Sequence, residues 1–153
     1  MDKLFVTETP DELLDKAEKD ILNIKALLSQ KFYPEDIMYD IICFHATMAV
    51  EKILKSYIII NGKNVEKTHD LSYLCKSAME IDTSFKNISD DCASLNDFVP
   101  GRKYGDEVQI SKKDMDNIVK SLDNICDFPP IKSKRDSFNE KHHYRIIDET
   151  SEG

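Results

Sequence analysis

The feature that most restricts the fold of this chain is helical periodicity placed between clear helix start and stop signals. The stretch Thr9-Pro10-Asp11-Glu12 combines an N-cap, a proline suited to the first helical position and a glutamate that can complete a capping box. The apolar residues that follow recur every three to four positions, which predicts an amphipathic helix. They are Leu13, Leu14, Ala17, Ile21, Ile24, Leu27 and Leu28.

Four further helices are predicted from the same kinds of signal. The second begins at Pro34 and ends at Asn61-Gly62, and the third follows Thr68-His69-Asp70. The fourth covers about residues 83–98, and the fifth begins at Ser111. The double proline at 129–130 stops the fifth helix, because proline cannot continue a helix.

These segments predict one all-α domain, an antiparallel up-and-down bundle of four to five helices. A length of 153 residues suits a single domain, and only four glycines and no tryptophan are present. The bundle is predicted over residues 1–130. Residues 131–153 contain few apolar side chains and are predicted to form a polar, flexible tail.

The net charge of −8 argues against non-specific binding to nucleic acid, because neutralising phosphates requires a basic surface. No apolar run has the length of a signal peptide or of a membrane span, so a cytoplasmic location is predicted. Neither a membrane partner nor an organic cofactor is expected.

The four cysteines are Cys43, Cys75, Cys92 and Cys126. They are widely separated and include no Cys-x-x-Cys pair. Small buried apolar residues in a reducing compartment are the expected role, and no metal site is predicted.

The segment 44–57, FHATMAVEKILKSY, belongs to the second helix and carries more ionisable groups than a core helix needs. Its outer arc mixes apolar with ionisable side chains, namely Ile41, Phe44, Met48 and Ile59 with His45, Glu51, Lys52 and Lys55. One interpretation is a second packing surface with a site at its rim. The other is a solvent-exposed ion pair between Glu51 and Lys55 beside a half-buried His45.

The chain resembles the HEPN domain family over roughly residues 8–128. The resemblance is carried by an ordered series of motifs: AEKDI (17–21), FHATMAVEKILK (44–55), NGK (61–63), THDLSYL (68–74), LNDF (95–98) and GRKY (101–104). It implies a helical bundle, usually a homodimer, with a polar cleft near the subunit contact. It looks like the subclass encoded beside minimal nucleotidyltransferases, for which a nucleotide or RNA ligand has been proposed.

The resemblance therefore implies a dimeric binding module for a nucleotide or another phosphate-bearing ligand, for a nucleotidyltransferase partner, or for both. The implied ligand-binding residues are His45, Glu51, Lys52, Lys55, His69, Arg102 and Tyr104. The implied dimer contacts are Ile41, Phe44, Met48 and Ile59. His69 has a simpler alternative role as a helix cap.

The alternative function is that of a metal-independent, toxin-type endoribonuclease from a toxin–antitoxin pair. Many HEPN proteins of this kind carry Arg-x4–6-His, in which the histidine exchanges a proton and the arginine holds the phosphate charge. Here the pattern occurs as Arg135 and His142. Both lie in the predicted tail, where a chance match is the simpler explanation, so we expect no enzyme activity.

Overall fold

The computed structural model describes residues 4–29, 35–99 and 109–142. Within them the chain forms six α-helices and one 3₁₀ helix, which confirms the all-α prediction. The helices are α1 (Pro10–Ser29), α2 (Glu35–Ile60), α3 (Leu71–Met79), a 3₁₀ helix (Thr83–Ile88), α4 (Ser89–Asn96), α5 (Lys112–Asp127) and α6 (Pro129–Lys141).

Two of the predicted helix starts are capping boxes. The backbone N–H of Glu12 donates to Thr9 Oγ1 at 3.1 Å, and the N–H of Thr9 donates to Glu12 Oε1 at 3.0 Å. Ser111 and Asp114 make the same reciprocal pair at the start of α5, at 3.1 and 3.0 Å. Each box satisfies two backbone donors that a helix start would otherwise leave unpaired.

The central element of the bundle is α2, which packs against α1, α3, α4 and α5. Ser56 near its C-terminus donates to the carbonyl of Pro10 at the start of α1, whereas His45 meets Asp20 further along. The two helices therefore run antiparallel. Its inner face is excluded from solvent and consists of Ile42, Cys43, Ala46, Ala49, Val50, Ile53, Leu54 and Ile58. In the described parts of the chain, no helix is both long and apolar enough to cross a membrane.

The predicted stop of the second helix is also present. Gly62 has a φ of +86°, a left-handed conformation that glycine adopts without the penalty that a Cβ brings. The segment after it pairs with the segment before α1. Val6 N donates to Val65 O at 2.8 Å, and Lys67 N donates to Leu4 O at 2.9 Å.

Hydrogen bonds connect the start of the short helix α3 to the end of the short helix α4. Asp70 caps α3 by accepting a hydrogen bond from the N–H of Tyr73 at 3.0 Å, and it accepts a second from Asn96 Nδ2 at 3.1 Å. Asn96 Oδ1 in turn accepts from the N–H of Leu71 at 2.9 Å. These bonds hold the residue before α3 close to the end of α4.

The structure corrects the prediction that the bundle ends at residue 130 and that a flexible tail starts at 131. Residues 129–141 form α6, with Pro129 and Pro130 in its first turn. Ile131 and Phe138 are only 1% and 5% exposed. The physical reason is that proline is well tolerated in the first turn of a helix, so the double proline starts α6 as well as ending α5. Residues 143–153 lie outside the described residues.

Candidate functional site: a pocket beside α2

The outer stripe of α2 exposes part of its apolar surface. Ile41 and Phe44 are 37% and 44% exposed, and Met48 is half-buried. Ile59, the fourth residue predicted for a subunit contact, instead packs partly against the bundle core. The exposed residues of this stripe, Ile41 and Phe44, therefore lie in the first half of the helix.

An open pocket of about 260 Å³ adjoins this stripe. It is lined by three apolar side chains and three polar ones, namely Phe44, Met48, Val99, Thr47, Glu51 and His69. Helix α2 supplies four of these residues. The other two are His69, which precedes α3, and Val99, which follows α4, so the hydrogen bond between Asp70 and Asn96 helps to define the pocket wall.

Glu51 is the charged centre of the pocket. Its carboxylate accepts a hydrogen bond from Lys55 Nζ at 2.8 Å and contacts His69 Nδ1 at 2.6 Å. A carboxylate only accepts hydrogen bonds, so His69 Nδ1 carries the hydrogen and Nε2 is the ring nitrogen that can contact a ligand. The His69 side chain is 73% exposed, whereas those of Glu51 and Lys55 are 9% and 8% exposed.

A second polar cluster lies between α1 and α2. Asp20, which is 8% exposed, contacts His45 Nδ1 and Lys52 Nζ, each at 2.9 Å. Sequence reasoning did not select Asp20 as a site residue. Asp20 belongs to the motif AEKDI on the first helix, which is the one sequence feature that could have identified it. Helical spacing alone does not reveal which residues of another helix a side chain contacts.

These contacts place the predicted ligand-binding residues of the described chain in two separate groups. Glu51 and His69 line the pocket, and Lys55 supports Glu51 from behind. His45 and Lys52 belong to the Asp20 cluster. Arg102 and Tyr104 lie outside the described residues.

The interpretation of Glu51 and Lys55 as a solvent-exposed pair is wrong, because both side chains are nearly excluded from water. His69 is not the cap of α3 either, since Asp70 has that role. Lys52 and Lys55 each contact a carboxylate within 2.9 Å. Neither lysine therefore supplies the pocket with an unpaired positive charge.

The two residues of the ribonuclease pattern have local partners. Arg135 donates two hydrogen bonds to the buried carboxylate of Glu18, at 2.6 and 2.9 Å. Burial alone would lower the pKa of Arg135, but its hydrogen bonds with Glu18 raise that pKa above the ordinary value. His142 lies 3.5 Å from Asp11 and packs on the ring of Phe138. This geometry gives Arg135 a structural contact between α6 and α1.

A protein-family model described as the HEPN domain matches residues 10–132. The match covers every described helix except most of α6. Comparison with curated proteins and with solved structures gives no match.

Proposed function

The chain belongs to the HEPN domain family, and from this premise we propose that it is a dimeric binding module for a nucleotide or a similar phosphate-bearing ligand. The observation that supports the proposal best is the pocket beside α2. It combines an apolar wall with the oriented imidazole of His69. Pockets of this kind use apolar contact for affinity and a few polar groups for orientation.

Each part of such a ligand has a counterpart at the pocket. The Phe44 ring and the Met48 thioether offer apolar and polarisable surface to a base, on which aromatic stacking is favourable. When both ring nitrogens carry hydrogens, His69 can donate from Nε2 to a phosphate oxygen while Nδ1 donates to Glu51.

Two cationic residues follow a pocket residue closely in the sequence. Arg102 and Lys103 follow Val99, a pocket residue, by three and four positions. Arginine suits phosphate because its planar fork can donate two parallel hydrogen bonds.

The proposed homodimer uses the exposed apolar stripe of α2. Ile41 is large and exposed and lies about one helical turn from the pocket residue Phe44, and a twofold contact is the commonest way to bury such a surface. A nucleotidyltransferase partner stays a prediction from the family resemblance.

Calorimetric titration with AMP, ATP and inorganic phosphate tests the ligand proposal. We expect His69→Ala to weaken binding by about tenfold or more, because a charge-assisted hydrogen bond contributes about 1.5–3 kcal/mol. The matched control is His142→Ala, which removes another partly exposed histidine that lies beside a carboxylate. Absence of heat at millimolar ligand, or equal weakening by both substitutions, would contradict the proposal.

The apolar wall can be tested with a second matched pair. Phe44 and Tyr73 are exposed to the same extent, 44% and 43%, but only Phe44 lines the pocket. Phe44→Ala should weaken binding of AMP and leave binding of inorganic phosphate unchanged, because only AMP carries a base. Tyr73→Ala should change neither. A loss of phosphate binding in Phe44→Ala would contradict the assignment of this residue to the base.

A further inference from the structure

The Asp20 cluster holds the His45 ring in a fixed orientation. Asp20 Oδ1 accepts a hydrogen bond from His45 Nδ1 and Asp20 Oδ2 accepts one from Lys52 Nζ, each at 2.9 Å. The side chains of Asp20 and Lys52 are only 12% and 15% exposed. Because Lys52 balances the charge of Asp20, the cluster has no net charge when the His45 ring is neutral. In that form Nδ1 carries the hydrogen and Nε2 is an acceptor.

The acceptor nitrogen of His45 reaches solvent. Within the described ranges, His45 Nε2 has no hydrogen-bond partner. Asn139 Oδ1 is the one buried side-chain polar atom of those ranges that lacks a partner, so His45 Nε2 is not buried. The exposed 22% of the His45 side chain therefore includes Nε2. An oriented ring with an accessible and unpaired acceptor is available to a ligand.

His45 also adjoins the surface that we assign to the base of the nucleotide. Its ring makes an edge-to-face contact with the ring of Phe44, with the two centroids 5.6 Å apart. Phe44 lines the pocket beside α2. In a nucleotide the sugar is bonded directly to the base, so the ribose of a base that stacks on Phe44 can reach the neighbouring His45 ring.

We propose that His45 accepts a hydrogen bond from a ribose hydroxyl and makes the site selective for nucleotides that carry these hydroxyls. This inference rests on the proposed function, because it requires a base at Phe44. A neutral His45 Nε2 can only accept a hydrogen bond. Ribose hydroxyls can donate one, whereas ionised phosphate oxygens only accept. The hydroxyl edge of the sugar is therefore the part of the sugar and phosphate that matches His45.

The stability of the fold does not by itself explain the Asp20 cluster. A buried ion pair can often be replaced by apolar residues of similar volume without loss of stability. A carboxylate that binds one ring nitrogen of a histidine, however, fixes the tautomer and the direction of the other nitrogen. The contacts of Asp20 with His45 and Lys52 are therefore better explained by the orientation of His45 toward a ligand.

Calorimetric titration of the full chain with AMP and with 2′,3′-dideoxy-AMP tests the inference. The wild-type protein should bind AMP about three- to tenfold more tightly, because the dideoxy nucleotide leaves His45 Nε2 without its donor. In His45→Ala, binding of AMP should fall to the level of the dideoxy nucleotide, and binding of the dideoxy nucleotide should not change. His45→Gln should keep part of the preference, since the amide oxygen can accept the same hydrogen bond.

Two controls separate the sugar from other contacts. His142→Ala removes another histidine that lies beside a carboxylate, and it should keep the full preference for AMP over the dideoxy nucleotide. IMP keeps both hydroxyls but lacks the amino group of adenine. The ratio of the AMP and IMP affinities should therefore be the same in the wild-type protein and in His45→Ala.

Equal affinity of the wild-type protein for AMP and dideoxy-AMP would overturn the inference and leave the nucleotide pocket standing. A preference that persists in His45→Ala would overturn it too, because another residue would then contact the hydroxyls. A change of the AMP to IMP ratio in His45→Ala would assign His45 to the base instead. If neither AMP nor dideoxy-AMP binds, the proposed function itself fails, and the inference fails with it.

A measurement on the wild-type protein decides the matter if the His45 variants do not fold. In ¹H–¹⁵N spectra of the histidine rings, the Nε2 signal of His45 should move as for a hydrogen-bonded acceptor when AMP binds. The same signal should not move in this way when dideoxy-AMP binds. Equal shifts with the two nucleotides would overturn the inference.

Discussion

Glu51 and Lys55 lie one helical turn apart on α2, and both are nearly excluded from water. The sequence correctly identified them as unusual for a buried helix, because the positions of ionisable residues can be read directly from helical spacing. It could not predict their burial, since the period of one helix says nothing about which other segments cover its outer face. Asp20 was missed for the same reason, because its partners lie on another helix.

Because Lys55 is buried, we expect its side chain to contribute to the stability of the fold. Lys55→Ala should lower the free energy of unfolding by about 3 kcal/mol, because it leaves the buried Glu51 carboxylate without its ammonium partner. Chemical denaturation measures this change directly.

The matched control is Lys132→Ala on α6. Lys132 forms the same type of ion pair one turn along its helix, with Asp136 at 2.8 Å, but both side chains are more than half exposed. This substitution should cost about 0.5 kcal/mol or less. Similar losses in the two variants would show that the pair at Lys55 is not shielded from water.

Helix α6 is the element that sequence reasoning misjudged most. Only Ile131 and Phe138 anchor it in the core, and two apolar residues seven positions apart are a weak helical signal. The other anchor is the contact from Arg135 to Glu18, a pair separated by 117 positions that no local pattern can reveal. The capping boxes of α1 and α5, by contrast, are local, and the sequence predicted both of these helix starts.

Truncation tests the role of α6 in the bundle. A chain that ends at residue 130 should melt about 10 °C or more below the full chain, because it loses two buried apolar side chains and leaves Glu18 buried without a partner. Thermal unfolding followed by circular dichroism measures the shift. A chain that ends at residue 142 is the control, and it should keep most of the stability. An unchanged melting temperature at the shorter length would instead support the sequence-based expectation of a flexible tail from residue 131.

The ion pair itself can be separated from the rest of α6. Arg135→Met should destabilise the protein by about 3–5 kcal/mol, since the Glu18 carboxylate, 2% exposed, would then be uncompensated. Adding Glu18→Leu should recover much of this loss, because a buried ion pair is often replaceable by apolar residues of similar volume. If the double variant is as unstable as the single one, the contact has another role than holding α6 to α1.

At the scale of the whole molecule, the all-α bundle and the family were predictable because they depend on many consistent local signals. The sequence could not predict that the candidate site divides into a pocket and a separate Asp20 cluster, because this division depends on contacts between helices. The homodimer rests on the exposed part of the α2 stripe. Ile41 and Leu22 are equally exposed, at 37% and 38%, and they lie on different helices.

Because Ile41 and Leu22 are equally exposed, replacing each of them with lysine tests which surface forms the dimer contact. Ile41→Lys should convert a dimer into a monomer, because it places a charge in the proposed apolar contact. Leu22→Lys on α1 should leave the dimer intact. Sedimentation equilibrium at tens of micromolar protein distinguishes the two states. A wild-type protein that is monomeric at this concentration would remove the basis for the dimer.

The central claim is that the pocket beside α2 binds a nucleotide, and methionine-methyl NMR tests it most directly. Met48 lines this pocket, Met79 lines a separate pocket between α3 and α4, and Met115 is buried in α5. On titration with AMP, the Met48 methyl signal should shift in a saturable manner while those of Met79 and Met115 stay in place. A saturable shift at Met79 instead, or no shift at any of the three at millimolar AMP, would contradict the account.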